Sequence, residues 1–129
     1  MKRKEVFHLR VRGIRGAIQV EKNEKEYILE AASKLLSKIA GENHLKKENV
    51  VSIFFTATPD INAEFPAYVV RKMGWKYVPV LCAQEMDVPR AVKRVIRVLV
   101  HASTPLSQEE IKHQYLGRTK EFRPDLTGE

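Results

Sequence analysis

Two charged residues interrupt apolar stretches of this sequence, and they are the first candidates for chemistry. Glu85 closely follows the apolar residues 77–83, and Arg97 stands alone within residues 95–100, where the other side chains are apolar. Burial of an unpaired guanidinium costs several kcal/mol or more. We therefore expect Arg97 to meet an anion, either Glu85 or a bound ligand. Residue types alone favour a structural ion pair and a ligand site equally.

The composition limits the classes of protein to which the chain can belong. With 129 residues, 43% of them hydrophobic, it has enough apolar side chains for one core, so a single domain is predicted. The net charge of +7 favours an anionic partner: nucleic acid, a membrane surface or a small acidic substrate. Cys82 is the only cysteine, so there is no disulfide framework. No run approaches the roughly 18 apolar residues of a membrane span, and we expect a cytoplasmic protein.

Hydrophobic periodicity predicts strands and helices in alternation. Phe7, Leu9 and Val11 alternate with polar residues, as in a strand with one buried face. Asn23 is expected to cap a long amphipathic helix that Gly41 ends. The further predicted elements are strands over residues 50–56, 76–84 and 92–102, the second of them largely buried, short helices after Pro66 and Ser107, and a weak strand within residues 119–126.

This succession of elements favours an α+β fold, in which a mixed β-sheet has its helices packed on one face. The other face of such a sheet would remain partly apolar, and the simplest remedy is an oligomer. After the first strand, Gly13 and Gly16 flank Arg15 and allow the backbone to come close to another part of the molecule. The segment matches neither GxGxxG nor a P-loop, so no nucleotide site is predicted there.

Several kinds of active site find no support in the sequence. The four histidines lack the spacing of a metal site, no serine lies in a GxSxG motif, and a lone cysteine in a strand is more often a packing residue than a nucleophile. A continuous basic stripe with exposed aromatics, typical of nucleic-acid binding, is also missing. Single arginines among apolar residues instead suit a pocket for a small polyanion. They are Arg15, Arg71, Arg97 and Arg123.

Seven short segments, in order along the chain, match the motifs of one known family. They are RGIRGA at residues 12–17, TPD at 58–60, FPA at 65–67, YVPV at 77–80, CAQEMD at 82–87, IRV at 96–98 and RPDL at 123–126. Together they resemble the AroH class of chorismate mutases. The resemblance implies a Claisen rearrangement of chorismate to prephenate in phenylalanine and tyrosine biosynthesis, without cofactor or metal. It also implies a homotrimer, in which three mixed sheets close a pseudo-α/β barrel with an active site at each subunit interface.

The resemblance further implies contacts for individual residues. Arg15 would bind a substrate carboxylate, Glu85 would accept a hydrogen bond from the ring hydroxyl, and Arg97 would hold the ether oxygen whose bond breaks. Tyr115 would donate to the side-chain carboxylate, and Tyr68 lies at the pocket mouth, where some relatives have a lysine. The remaining residues would shape the pocket or guard its mouth, and they are Phe65, Ala67, Val80, Leu81, Cys82, Arg71 and Arg123.

Two other functions remain compatible with the sequence. One is a RidA-like trimeric deaminase of enamines and imines, which would also use an arginine for a carboxylate. The other is a basic nucleic-acid-binding domain without enzymatic activity. If the chain is instead a chorismate mutase, it needs neither nucleic acid nor a membrane as a partner, and residues 1–8 are an N-terminal extension of a domain spanning residues 1–129.

Overall fold

Five strands form one mixed sheet in the computed structural model, which describes residues 9–127. The strands are β1 (Arg10–Gln19), β2 (Val50–Ala57), β3 (Val80–Gln84), β4 (Val95–Thr104) and β5 (Gln114–Leu116). Their order across the sheet is β3-β2-β4-β1-β5. Strand β4 is antiparallel to both of its neighbours, whereas the edge strands β3 and β5 are parallel to β2 and β1. The predicted mixed sheet is therefore confirmed.

The helices lie between and after these strands. Helix α1 (Lys25–Glu42) is the long amphipathic helix predicted from the sequence, and α2 (Tyr68–Lys72) packs beside it. Helix α3 (Pro124–Thr127) and two short 3₁₀-helices, Lys47–Asn49 and Gly117–Phe122, complete the described elements. Within residues 9–127, no helix has the combined length and hydropathy of a membrane span.

The main core lies between the sheet and α1. Because successive strand residues point to opposite faces, β1 and β4 bury alternate side chains against the helix, among them Ile14, Ile18, Ile96, Val98 and Val100. Burial of each such side chain contributes about 1.5–3 kcal/mol, so this layer determines how the strands are held. The buried side chains of α1 recur at helical spacing, and they are Ile28, Leu29, Ala32, Leu35, Leu36 and Ile39.

Gly16 allows α1 to lie close to the sheet. A Cβ atom at this position would be 2.9 Å from Leu35 Cδ1 and 3.0 Å from Ile39 Cδ1 of the helix, and 2.9 Å from the Gln114 carbonyl oxygen of β5. These distances are shorter than close-packed carbon atoms allow. The expectation that glycine beside Arg15 permits a close approach is therefore correct for Gly16, and the approaching elements are α1 and β5.

In the described residues, the sheet face opposite α1, which we call the open face, has Phe122 packed against Ala17, Val95 and Tyr115 at one end and exposed apolar side chains elsewhere. Val11, Phe54 and Leu81 are 59%, 41% and 72% exposed. The register places Phe54 beside both Leu81 and Leu99 on this face. A contiguous exposed apolar surface of this kind is typical of an interface. The oligomer expected from the sequence stays a prediction, and the open face is where its subunits would meet.

Two predictions for the first strand are wrong. Strand β1 continues through residues 13–17, and Leu9 and Val11 are exposed rather than buried. The physical reason is that α1 crosses the second half of β1 and buries the alternate set of side chains that begins with Ile14. Phe7 lies outside the described residues, as does the whole of the expected N-terminal extension, residues 1–8.

Asn23 does not cap α1. Glu24 occupies the N-cap position without a side-chain hydrogen bond. The Asn23 side chain instead accepts hydrogen bonds from the backbone N–H groups of Asn62 and Ala63, both at 3.0 Å. It thereby ties the start of the helix to the loop after β2. The helix also runs one residue beyond Gly41, so the predicted end is nearly correct.

The helix expected after Ser107 is absent, although its capping pattern forms. The Ser107 N–H donates to Glu110 Oε1 at 2.8 Å, and the Glu110 N–H donates to Ser107 Oγ at 3.3 Å. Only a turn follows, because the next residues pair with β1 as strand β5. The weak strand expected within residues 119–126 is also wrong, since this segment contains most of the second 3₁₀-helix and most of α3.

Strand β3 is shorter and more exposed than predicted. It begins at Val80 rather than Lys76, and Leu81 is 72% and Tyr77 88% exposed. An edge strand pairs on one side only, and β3 pairs with β2 alone. Strands β2 and β4 and helix α2 are confirmed with shifts at their ends, and Gly74 follows α2 with a φ of 81°.

Candidate active site

Arg97 and Glu85 form an ion pair on the open face. The distance from Arg97 Nη1 to Glu85 Oε1 is 2.5 Å, and the two side chains are 38% and 13% exposed. Arg97 meets an anion, as expected. It does not interrupt a continuous core segment, however, because Ile96 and Val98 point towards α1 while Arg97 points to the open face.

Thr56 and Phe122 complete the surroundings of this ion pair. The Glu85 N–H donates to the Ala57 carbonyl at 2.9 Å, which extends the pairing of β3 with β2. The second carboxylate oxygen, Oε2, accepts a hydrogen bond from Thr56 Oγ1 at 2.7 Å. The Phe122 ring centroid lies 4.7 Å from Arg97 Cζ, a cation–π contact that shields the guanidinium. Glu85, Arg97 and Phe122 line one cleft of about 210 Å³.

Arg15 and Tyr115 lie beside the pair on β1 and β5. Ala17 pairs with both Arg97 and Tyr115 across the sheet. Tyr115 is 4% exposed, and its hydroxyl has no hydrogen-bond partner among the described residues. A buried hydroxyl without a partner costs about 1–3 kcal/mol, so this group is available to a ligand. Within residues 9–127, the exposed Arg15 guanidinium likewise makes no hydrogen bond or ion pair.

His113 supports Arg15 from the segment before β5. Its Nδ1 atom accepts a hydrogen bond from the Arg15 backbone N–H at 2.9 Å. Burial lowers the pKa of His113, and the positive charges of Arg15 and Arg123 lower it further. The imidazole is therefore neutral at pH 7. Arg123 itself forms hydrogen bonds of 3.1 and 2.9 Å to Asp125, which raise the pKa of Arg123 above its ordinary value.

A second cleft lies between α2 and the edge strand β3, with a volume of about 370 Å³. The rings of Phe65 and Tyr68 meet edge to face there, with centroids 5.9 Å apart, and Arg71 Cζ lies 5.8 Å from the Tyr68 centroid. Burial raises the pKa of the Cys82 thiol, while a hydrogen bond with the Ala67 backbone lowers it by less. The residues expected from the sequence that line this cleft are Phe65, Ala67, Tyr68, Arg71, Val80, Leu81 and Cys82.

The predicted site residues thus lie in two groups. One of them, which we call the second group, consists of the predicted residues that line the second cleft. The ion-pair cleft and the second cleft share no lining residue. Arg123 lines neither of these two clefts. The other, which we call the first group, lies on the sheet around the ion pair. It consists of Arg15, Glu85, Arg97 and Tyr115.

Sequence reasoning missed three residues that contact the first group: Thr56, His113 and Phe122. Thr56 carried no signal beyond its strand propensity, and His113 was considered only as a metal ligand. Phe122 precedes the RPDL motif directly, and this adjacency to Arg123 was the one available signal. In the part of the chain that the structure describes, no group of three or more His, Cys, Asp or Glu side chains could hold a metal ion.

Comparisons with known sequences agree with the family resemblance. The family model of chorismate mutase type I matches residues 11–126. The chorismate mutase AroH of Bacillus subtilis (strain 168) is 49% identical over 118 residues, which are 91% of this chain and 93% of that protein. The chorismate mutase AroH of Thermus thermophilus is 42% identical over 117 residues, or 90% and 96% of the two chains.

A solved structure has the same fold. The chorismate mutase from Clostridium thermocellum superposes with a TM-score of 0.84 at 39% sequence identity, and the match covers 85% of this chain and 98% of that one. These matches favour neither a RidA-like deaminase nor a nucleic-acid-binding domain. The chain therefore belongs to the chorismate mutase type I family, and it is an isomerase of aromatic amino acid biosynthesis.

Proposed function

We propose that this protein rearranges chorismate to prephenate in a site that two copies of the chain build together. One copy would supply the first group, and the next copy in a homotrimer would supply the second group. The observation that carries this proposal is that, in one chain, the cleft lined by Arg97 and Glu85 shares no lining residue with the cleft lined by the second group. The exposed apolar side chains of the open face offer a surface on which another copy can pack.

Restriction of the substrate's conformation is the first contribution to catalysis. Chorismate carries two carboxylates, and it reacts only in the compact chair that brings the enolpyruvyl carbon over the ring. A pocket that fixes both ends of the molecule removes most of this conformational cost. The Arg15 guanidinium and the Tyr115 hydroxyl, both without partners in residues 9–127, provide donors for a carboxylate. Arg71 supplies positive charge from the second cleft.

Stabilisation of charge is the second contribution. The reaction is intramolecular: the ether C–O bond breaks, a C–C bond forms, and no proton is exchanged. The C–O bond stretches first, so negative charge grows on the ether oxygen. Glu85 engages Arg97 at Nη1, and the other N–H groups of Arg97 make no hydrogen bond to residues 9–127. A preorganised cation at this oxygen binds the transition state more tightly than the substrate, which raises the rate.

Tyr68 changes the mouth of the pocket. The family resemblance places a lysine of some relatives at this position, so a cationic contact with the substrate would be missing here. The ring of Tyr68 instead lies under the Arg71 guanidinium, and a cation–π contact restrains that side chain. Substrate affinity should therefore depend strongly on Arg71. A cytoplasmic location and the lack of nucleic-acid or membrane partners stay predictions.

Turnover by purified, chelator-treated protein tests the proposed reaction. We expect chorismate absorbance to fall and prephenate to appear at an undiminished rate, because no step needs a metal. Activity that is lost on chelation and restored by a metal would contradict the cofactor-free mechanism. Imine hydrolysis without chorismate turnover would favour the RidA-like alternative. Sedimentation equilibrium should return a trimer, and a fully active monomer would overturn the shared site.

Replacement of Cys82 by serine should leave kcat within about threefold of the wild-type value, because the rearrangement uses no nucleophile. The raised pKa keeps the thiol protonated at neutral pH, so it should also react slowly with iodoacetamide. Steady-state kinetics and mass spectrometry measure the two effects. Complete loss of activity in a folded Cys82→Ser protein, or a covalent adduct of Cys82 with substrate, would contradict this assignment.

A further inference from the structure

Thr56 donates a hydrogen bond to Glu85, and it contacts the carboxylate oxygen that Arg97 leaves free. The Glu85 carboxylate meets Arg97 Nη1 through Oε1 at 2.5 Å and Thr56 Oγ1 through Oε2 at 2.7 Å. Thr56 and Arg97 are cross-strand neighbours on β2 and β4, so both contacts come from the same row of the sheet. The Glu85 side chain is only 13% exposed, and few water molecules can replace the Thr56 hydroxyl.

Thr56 is held more firmly than the glutamate that it contacts. Strand β2 lies between β3 and β4, and both pair with it at Thr56. The branched Cβ of threonine also restricts its χ1 angle. Glu85 follows the end of β3, at the edge of the sheet, and its side chain has three dihedral angles. Without Thr56, the carboxylate could turn about its last bond and carry the Arg97 guanidinium with it.

We propose that Thr56 is a positioning residue of this active site. Its hydroxyl holds the plane of the Glu85 carboxylate, and the carboxylate in turn orients the Arg97 guanidinium towards the breaking C–O bond. The inference rests on the proposed function, because it takes Arg97 to meet the ether oxygen. Thr56 acts through Glu85 and needs no contact with the substrate. Small displacements of a catalytic group, of about 1 Å, can lower a rate about 10²-fold.

Two matched pairs of proteins measure the effect of the Thr56 hydroxyl separately from the effect of side-chain shape. The wild type and Thr56→Val share a branched shape, and Thr56→Ser and Thr56→Ala share an unbranched one. In each pair, loss of the hydroxyl should lower kcat by about 10–100-fold and change KM by less than about threefold. Thr56→Ser should stay within about threefold of the wild-type kcat. The serine and alanine pair keeps the test decisive if Thr56→Val does not fold, as judged by circular dichroism and sedimentation.

The hydroxyl should lose its effect when Glu85 is removed. In a Glu85→Ala background, adding Thr56→Val should change the residual kcat by less than about twofold, because the two residues act as one unit. Equal losses in both backgrounds would show that Thr56 acts independently of Glu85 and would overturn the inference. Wild-type kcat in both variants without the hydroxyl would also overturn it. A wild-type protein that does not turn over chorismate would overturn the proposed function instead, so the two failures are distinguishable.

Discussion

Replacement of Arg97 by citrulline should lower kcat by at least about 10³-fold, while the protein still folds, assembles and binds prephenate. Citrulline keeps the shape of arginine and most of its N–H donors, but it has no positive charge. If the charge stabilises the ether oxygen as the C–O bond stretches, its loss must appear in kcat rather than in ligand affinity. Single-turnover kinetics and titration with prephenate measure these two quantities separately.

The ion pair between Arg97 and Glu85 offers a competing explanation, in which Arg97 only stabilises the fold. A broken buried pair destabilises a protein by about 3–5 kcal/mol. The Arg97 side chain is 38% exposed, so solvent screens much of this interaction and the loss of stability should be smaller. Thermal unfolding of the citrulline variant measures it. A stable, folded variant with near wild-type kcat would refute the electrostatic mechanism.

Arg94 provides the matched control for this experiment. Its guanidinium donates to the Val20 carbonyl at 2.9 Å, and Arg94 lines neither of the two clefts. Citrulline at Arg94 removes one positive charge from the same part of the chain and keeps the hydrogen bond. We expect its kcat to stay within about twofold of the wild-type value. A similar fall for both variants would assign the effect to net charge rather than to the position of Arg97.

Local sequence patterns correctly predicted the elements whose structure depends mainly on their own residues. Residues 50–56 are mostly β-branched or aromatic, and they form β2, which pairs with a strand on each side within the sheet. Predictions failed where the result depends on a distant segment. Leu9 and Val11 alternate as a strand should, but the crossing of α1 decides which face is buried. Ser107 and Glu110 form their capping hydrogen bonds, yet pairing with β1 overrides helix formation in the residues that follow.

The candidate site was predictable through its motifs but not through its geometry. The motifs placed Phe65 and Cys82 in one pocket, and both line the second cleft. Nothing in their spacing indicates that Arg97 belongs to a separate cleft of the same chain. Thr56 was missed because its partner Glu85 is 29 positions away, and only the pairing of β2 with β3 brings them together. Such a contact leaves no local sequence pattern.

The separation of the two groups makes a strong prediction for mixed oligomers. Arg97→Ala damages the first group, and Arg71→Glu reverses a charge in the second group, where it should repel the dianionic substrate. Each variant alone should lose at least about 10²-fold in kcat/KM. When both are coexpressed with different tags and purified as mixed trimers, one of the three sites in each trimer should combine two undamaged groups, whichever variant contributes two of the subunits. The mixed trimers should then regain about a third of the wild-type kcat/KM.

A pair of variants within one group is the control for this recovery. Arg97→Ala and Glu85→Ala both damage the first group, so no arrangement of their subunits produces an intact site. Their mixed trimers should show no more activity than the average of the two proteins, although they assemble equally well. Recovery in the first mixture alone means that neighbouring chains share each site. A site built within one chain predicts no recovery in either mixture, and that result, with both tags present in the purified oligomer, would exclude the proposed interface.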